Sequence, residues 1–177
     1  MARSIPWPGK RQPPPLIEIV EGGYRVNLGD VEQRVLRQSF FDLRILVNER
    51  DASTRRLFPN AYVDQPQLEA EYQQLVGDDL AQSQLAAIDQ VEQSIDGKVV
   101  DRAGLEQWMR SINAIRLVIG TKLDISEDPE RLKRNDPRFA AYQLYDFLGH
   151  LLSWILSALR EPDWVDPAGP QSTYELP

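Results

Sequence analysis

The sequence predicts a mainly α fold: a helical bundle-like domain with a small N-terminal β-hairpin, and residues 98–100 as the candidate for a third short strand. Three observations carry this. From residue 30 to residue 160, apolar residues recur every three or four positions over long stretches, the spacing that lines up one side of an α-helix. LIEIVEGGYRVNL alternates apolar residues on both sides of Gly22 and Gly23, the pattern of two strands joined by a tight turn. Prolines crowd residues 1–15 and 161–177, where they deny the backbone both helical continuity and ladder donors. A single domain over residues 16–160 between two flexible Pro-rich tails is the expected organisation.

Taken in order, the hairpin places Ile17, Ile19, Val26 and Leu28 on one face. Asp30 then stands where a carboxylate can cap a helix running from 31 to about 48, whose stripe is Leu36, Phe40, Leu43 and Val47. DASTRRLFPNAYVDQP interrupts the period and reads as a loop with Leu57 and Phe58 turned inward. Helix resumes after Asp64 with Pro66 in its first turn, where a missing amide costs nothing, and Leu68, Tyr72, Leu75 and Val76 are its expected core face. Gly77 is read as a break before a further helix carrying Ala81, Leu85, Ile88, Val91 and Ile95, with Gly97 as its stop. Asp101 caps the next helix, and after a polar connection holding Pro129 and Pro137 the last runs from about 138 to 160. Its apolar arc is Leu144, Phe147, Leu148, Leu151, Ile155 and Leu159.

Composition narrows the function. With 20 Lys and Arg against 27 Asp and Glu, the net charge of −7 repels phosphate backbones and anionic lipid, so direct nucleic-acid binding is disfavoured. The short basic stretches at Lys10 and at Arg55 and Arg56 read as solvated surface. With no cysteine there is no disulfide, thiolate nucleophile or Cys-containing metal site, which fits a reducing interior. The N-terminus lacks the apolar segment of a secretory signal, and no apolar run approaches the roughly 18 residues of a membrane span. A cytoplasmic protein without metal or cofactor is expected, and its oligomeric state stays open.

Chemistry concentrates in NAIRLVIGTKL, where Arg116 interrupts an apolar run. At about 100° per residue, Leu105, Met109, Ile112, Ile119 and Leu123 share its side, while Ala114, Leu117 and Val118 fill much of the other. A helix apolar nearly all round is central, so the guanidinium is expected to be at least half-buried and in need of a partner. No carboxylate lies one turn away on the same helix. Glu32, on the Leu36 stripe, is the first candidate for a structural ion pair, and Asp78 or Asp79 the second. Asn113 and Gly120 adjoin Arg116, and Gly120 with Thr121 marks a close helix contact or a small concavity. An ion pair at a helix contact outweighs a ligand pocket around Asn113 and Arg116, which is kept as the alternative.

Other constellations are weaker. Asp146, His150, Ser153 and Ser157 form a row on one helix, but side chains projecting in parallel lack the convergence that nucleophile, base and orienting acid require. SEDPE and GDD lack the ligand spacing of a calcium loop, and no phosphate-cradling glycine motif occurs. Trp164 and Tyr174 in the C-terminal tail suit either a linear motif for a partner groove or packing back onto the domain.

The succession RRLFPNAYVDQPQLEAEYQQLVGDDL, WMRSINAIRLVIGTKLDI and DPRFAAYQLYDFLGHLL resembles the actinobacterial oxidative stress regulator (AosR)-like family, over roughly residues 16–160. Asn113, Arg116, Leu117, Gly120 and Thr121 are the most specific part of the match. The resemblance implies a non-enzymatic regulator acting through protein contacts, with a sigma factor or the transcription machinery as partner. Redox switching through cysteines, associated with such a regulator, does not carry over to a chain that has none. Net acidity agrees with a protein-contacting role, because steering toward a basic partner protein gains from it. The expected function is therefore a regulatory or protein-interaction protein. The alternative is a small-molecule binder or enzyme.

Overall fold

The computed structural model describes residues 15–125 and 134–160. The tails other than Pro15, the connection 126–133, and with them Trp164 and Tyr174, lie outside the described residues. In chain order the elements are β1 (Ile17–Val20), β2 (Gly23–Val26), α1 (Asp30–Asn48), a 3-10 turn (Ala52–Thr54), α2 (Pro66–Glu92), β3 (Val99–Val100), α3 (Arg102–Lys122) and α4 (Phe139–Arg160). The fold is mainly α, and residues 99–100 do join the hairpin, giving an antiparallel sheet in the order β1-β2-β3. Its register pairs Ile17 with Val26, Ile19 with Tyr24, and Tyr24 in turn with Val100.

Sidedness in the hairpin differs from the expected set. Ile17, Tyr24 and Val26 are buried, whereas Ile19 is exposed and Leu28 only half-buried. Ile19 points to the same side as Ile17, as strand alternation demands, but lies near the turn at the end of β1. Asp30 is the first residue of α1 rather than its cap. Gly29 occupies that place with no side-chain bond, and Asp30 and Glu32 contribute negative charge to the first turn instead.

The Leu36, Phe40, Leu43 and Val47 stripe of α1 is buried as expected. A larger correction concerns α2. Gly77 does not break it: the helix is continuous over Pro66–Glu92, and Gly77 is buried, with the Arg50 guanidinium and the Gln73 amide against the place a side chain would fill. Leu68 and Leu75, expected in the core, are exposed, because the first half of α2 projects past the bundle. Ala87, Ile88 and Val91 supply the buried part at its other end, and Ile95, just past the helix, is buried as well. Arg44 of α1 ties the two helices, pairing with Asp89 and, at 2.8 Å, with Glu92. Burial works against its charge, yet hydrogen bonds to the carboxylates of Asp89 and Glu92 outweigh that and raise its pKa above the ordinary arginine value.

α3 is the central element, packed against α1, α2, α4, the 3-10 turn and strands β2 and β3. Asp101 caps it by accepting from the Gly104 amide at 2.7 Å, as the sequence predicts. Trp108 is fully buried, and its Nε1 donates to Ser94 Oγ at 2.9 Å, while that hydroxyl donates to the Val91 carbonyl at 3.1 Å. The expected arc of α4 faces this core, with Leu148, Leu151 and Ile155 fully buried. No helix among the described residues is long and apolar enough to cross a membrane.

α1 and α3 end alike. Arg50 and Asp124 both have φ of 52°, and each opens a pair of closing bonds: Arg50 N to Val47 O with Asp51 N to Leu46 O, and Asp124 N to Thr121 O with Ile125 N to Gly120 O. This is the Schellman arrangement with a non-glycine residue in the left-handed position. Relief of roughly 1–2 kcal/mol of crowding exceeds the extra backbone entropy of glycine, about 0.5–1 kcal/mol. Asp124→Gly is accordingly expected to stabilise the domain by roughly 0.5 kcal/mol, read as a higher urea midpoint. A lower midpoint would show that Asp124 contributes something its backbone does not reveal.

Candidate functional site

Arg116 lies in the second half of α3, half-buried. Its guanidinium carbon sits 4.3 Å from the centroid of the Tyr145 ring on α4. The two helices make a reciprocal fit. Tyr145 fills the notch at Gly120, its ring edge 3.2 Å from where a side-chain carbon would stand, and Arg116 fills the notch at Gly149, with Nε at 3.4 Å. Each helix thus offers one large planar group and, a turn later, a glycine that receives the other's. The concavity expected beside Gly120 is occupied by an aromatic ring.

The expected ion pair is not formed. Among the described residues no carboxylate pairs with Arg116, and its buried Nε has no hydrogen-bond partner. Glu32 belongs to the hairpin end of α1, beside Gly29 and a cavity lined by Arg25, Asn27 and Gln33. The part of α1 level with residues 115–122 of α3 is Ser39 to Leu46, about 10 Å or more further along the helix axis from Glu32. Asp78 pairs with Arg50, and Asp79 is exposed. Asn113 is exposed, and Thr121 donates to the Leu117 carbonyl of its own helix at 2.8 Å, a local bond rather than a ligand contact. The predicted residues are therefore not gathered into one site: Arg116 and Gly120 meet, and the acids lie elsewhere.

Sequence reasoning missed Tyr145 and Gly149. Their spacing of four on α4 mirrors that of Arg116 and Gly120 on α3, and this is the one signal that could have joined them. Arg56, read as solvated surface, is exposed as expected. From that surface it also reaches the same notch, with a guanidinium nitrogen 3.7 Å from the Gly120 side-chain position. It is carried there by the 3-10 turn, whose cap Asp51 accepts from the Ser53 amide at 2.8 Å and from the Ser53 hydroxyl. Those bonds, and after them the charge of Lys122, hold the Asp51 carboxyl below the usual aspartate range.

A stacked arginine on a desolvated ring contributes on the order of 1–2 kcal/mol, offset in part by the orphaned Nε. Arg116→Met keeps the long apolar stem against Tyr145 and removes the unsatisfied nitrogen, so its stability is expected within about 1 kcal/mol of the parent. Arg116→Ala leaves the Gly149 notch empty and is expected to lose about 2 kcal/mol or more. Thermal melts that find both variants equally and severely damaged would overturn this account of the contact.

A second feature lies on α1. Opposite its core stripe, Val31, Val35, Phe41 and Ile45 are exposed by 61, 40, 57 and 40 %. Beside that strip a groove of about 150 Å³ opens between α1 and α4, with Leu46, Ile115, Val118, Ile119 and Leu144 among its lining and Asp42 and Lys122 at its rim. By contrast the Asp146 and His150 row is the solvated face of α4, with a long 3.5 Å contact between two exposed side chains. Among the described residues no group of three His, Asp or Glu is placed to hold a metal ion.

A small helical domain, with planar groups and glycines interlocked between α3 and α4 and an apolar strip left open on α1, is the class of protein these features define. The family model described as a domain of unknown function (DUF2017) matches residues 16–159, and the chain belongs to that family. No curated protein and no solved structure matches the chain.

Proposed function

We propose that this protein is a non-enzymatic regulatory domain of the cytoplasm that acts by binding another protein, with the outer face of α1 as its docking surface. The observation that carries the reading is the set of exposed apolar residues Val31, Val35, Phe41 and Ile45 on the side of α1 away from its core, with the groove at Leu46 on the flank of the same helix. An amphipathic helix needs one apolar face for its own core, and α1 has that face in the Leu36 stripe. A second one, on the side away from the core, signals contact with something else. The likeness to the AosR-like regulators points to the transcription machinery as the partner, and the net charge of −7 favours a basic protein surface over DNA.

The test compares the parent with a Val35→Glu, Phe41→Glu double variant. Both positions are exposed, so the melting temperature is expected to stay within a few degrees while a reproducible protein partner captured by the parent from its native cytoplasm is lost. RNA polymerase, with and without its sigma factors, is the first purified partner to assay. Capture of the same partner by both proteins would remove α1 from the interface, and the absence of any reproducible partner would sink the reading.

A further inference from the structure

The chain has an excess of acidic residues, yet Arg56 and Arg116, both near Tyr145 and Gly120, have no carboxylate paired with them among the described residues. Among the described residues neither makes a hydrogen bond or an ion pair. Other arginines show what this chain does when it neutralises a guanidinium: Arg44 is shared by Asp89 and Glu92, and Arg50 takes Asp78. The Arg116 Nε is buried, and among the described residues none of the three guanidinium nitrogens has a hydrogen-bond partner. Among the described residues the Tyr145 hydroxyl likewise makes no hydrogen bond. Arg116 lies over the face of that ring, and an Arg56 nitrogen and the ring edge both border the Gly120 notch, 3.7 and 3.2 Å from its side-chain position. Guanidinium groups from the segment after the 3-10 turn and from α3 thus flank one aromatic ring on α4, with Arg116 held by the interlock and Arg56 exposed beside it.

From this juxtaposition we propose that Arg56, Arg116 and Tyr145 form a binding site for a phosphoryl oxyanion, free or as a phosphate monoester. Two guanidinium charges match a dianion, and a tetrahedral group with several acceptor oxygens can use donors arriving from separate elements, which a single carboxylate cannot. Stacking on Tyr145 fixes the plane of the Arg116 fork in advance, lowering the entropy lost on binding. The site does not depend on the α1 face and goes beyond the docking role.

Titration with inorganic phosphate and with glycerol phosphate, against sodium chloride at matched ionic strength, tests the assignment by calorimetry and by ring-proton shifts of Tyr145. Saturable binding by the parent is expected, about tenfold or more weaker in Arg56→Gln, and weaker again when Arg116→Lys replaces the fork by a point charge. Tyr145→Phe keeps the stacked ring and is expected to lose affinity without losing the fold. Arg37→Gln, an exposed arginine on α1, is expected to bind as the parent does. Preference for the monoester over inorganic phosphate would assign the site to an esterified ligand, and the reverse to the free ion; either outcome supports it. Binding no stronger than that of chloride, or binding unchanged in Arg56→Gln, overturns the proposal. So does an Arg56-dependent response to a polyglutamate peptide with none to phosphate, which would make the spot a contact for acidic protein segments. None of these outcomes bears on partner capture through α1.

Discussion

Trp108→Ala is expected to cost about 3–5 kcal/mol, a large share of the roughly 5–15 kcal/mol that holds a domain of ordinary stability together. Trp108 is the largest of the fully buried side chains and sits on the helix that touches nearly every other element. Its loss opens a cavity that α2, α3 and the sheet cannot close together, because each is fixed by separate contacts. Trp108→Phe separates packing from hydrogen bonding. It retains most of the apolar volume but leaves Ser94 with only its bond to Val91, an expected cost of about 1–2 kcal/mol. Urea unfolding followed by circular dichroism measures both. If alanine proved no worse than phenylalanine, Trp108 would not be the centre of the core.

Gly23→Ala is expected to be nearly as damaging, for a reason in the backbone. Gly23 has φ of 145°, and an added side-chain carbon would stand 2.1 Å from the Val100 carbonyl oxygen. That atom belongs to the neighbouring strand and cannot yield without breaking the β2–β3 pairing. Strain and lost ladder bonds together are expected to cost roughly 3 kcal/mol. Gly22 is the internal control. It too has a positive φ, 86°, but nothing lies within 4 Å of the added carbon, so Gly22→Ala is expected to cost only about 1 kcal/mol in left-handed strain. Equal melting temperatures for the two variants would show that conformational freedom, and not the approach of β3, governs this turn.

Local rules made the first helix, the hairpin and the Asp101 cap legible in the sequence, since each is decided within one or two turns of chain. The Leu36, Phe40, Leu43, Val47 stripe is buried as its period demands, and the glycine pair turns the chain where its flanking alternation says it will. Elsewhere tertiary context decided. Leu75 keeps helical spacing with true core residues, yet it is 77 % exposed, because period states which residues share a side and not whether anything covers that side. Gly77 looked like punctuation. It is a mid-helix residue whose missing side chain makes room for Arg50. For Arg116 the need for a partner was readable, and its kind was not: the search was confined to carboxylates, whereas an aromatic ring on α4 supplies the contact.

α2 spans 27 residues, about 40 Å, and its fully buried apolar residues, Ala87, Ile88 and Val91, all fall toward the C-terminal end. Arg50 holds it near the middle, at Gly77 and Asp78. Residues 66–76 are thus an overhang steadied by their own backbone ladder and by the preceding loop, where Tyr62 meets Tyr72 edge-on. Such a segment can fray and re-form while the interior stays shut. The domain therefore has a hard end and a soft one, and a protease or an exchanging solvent proton would find the soft end first.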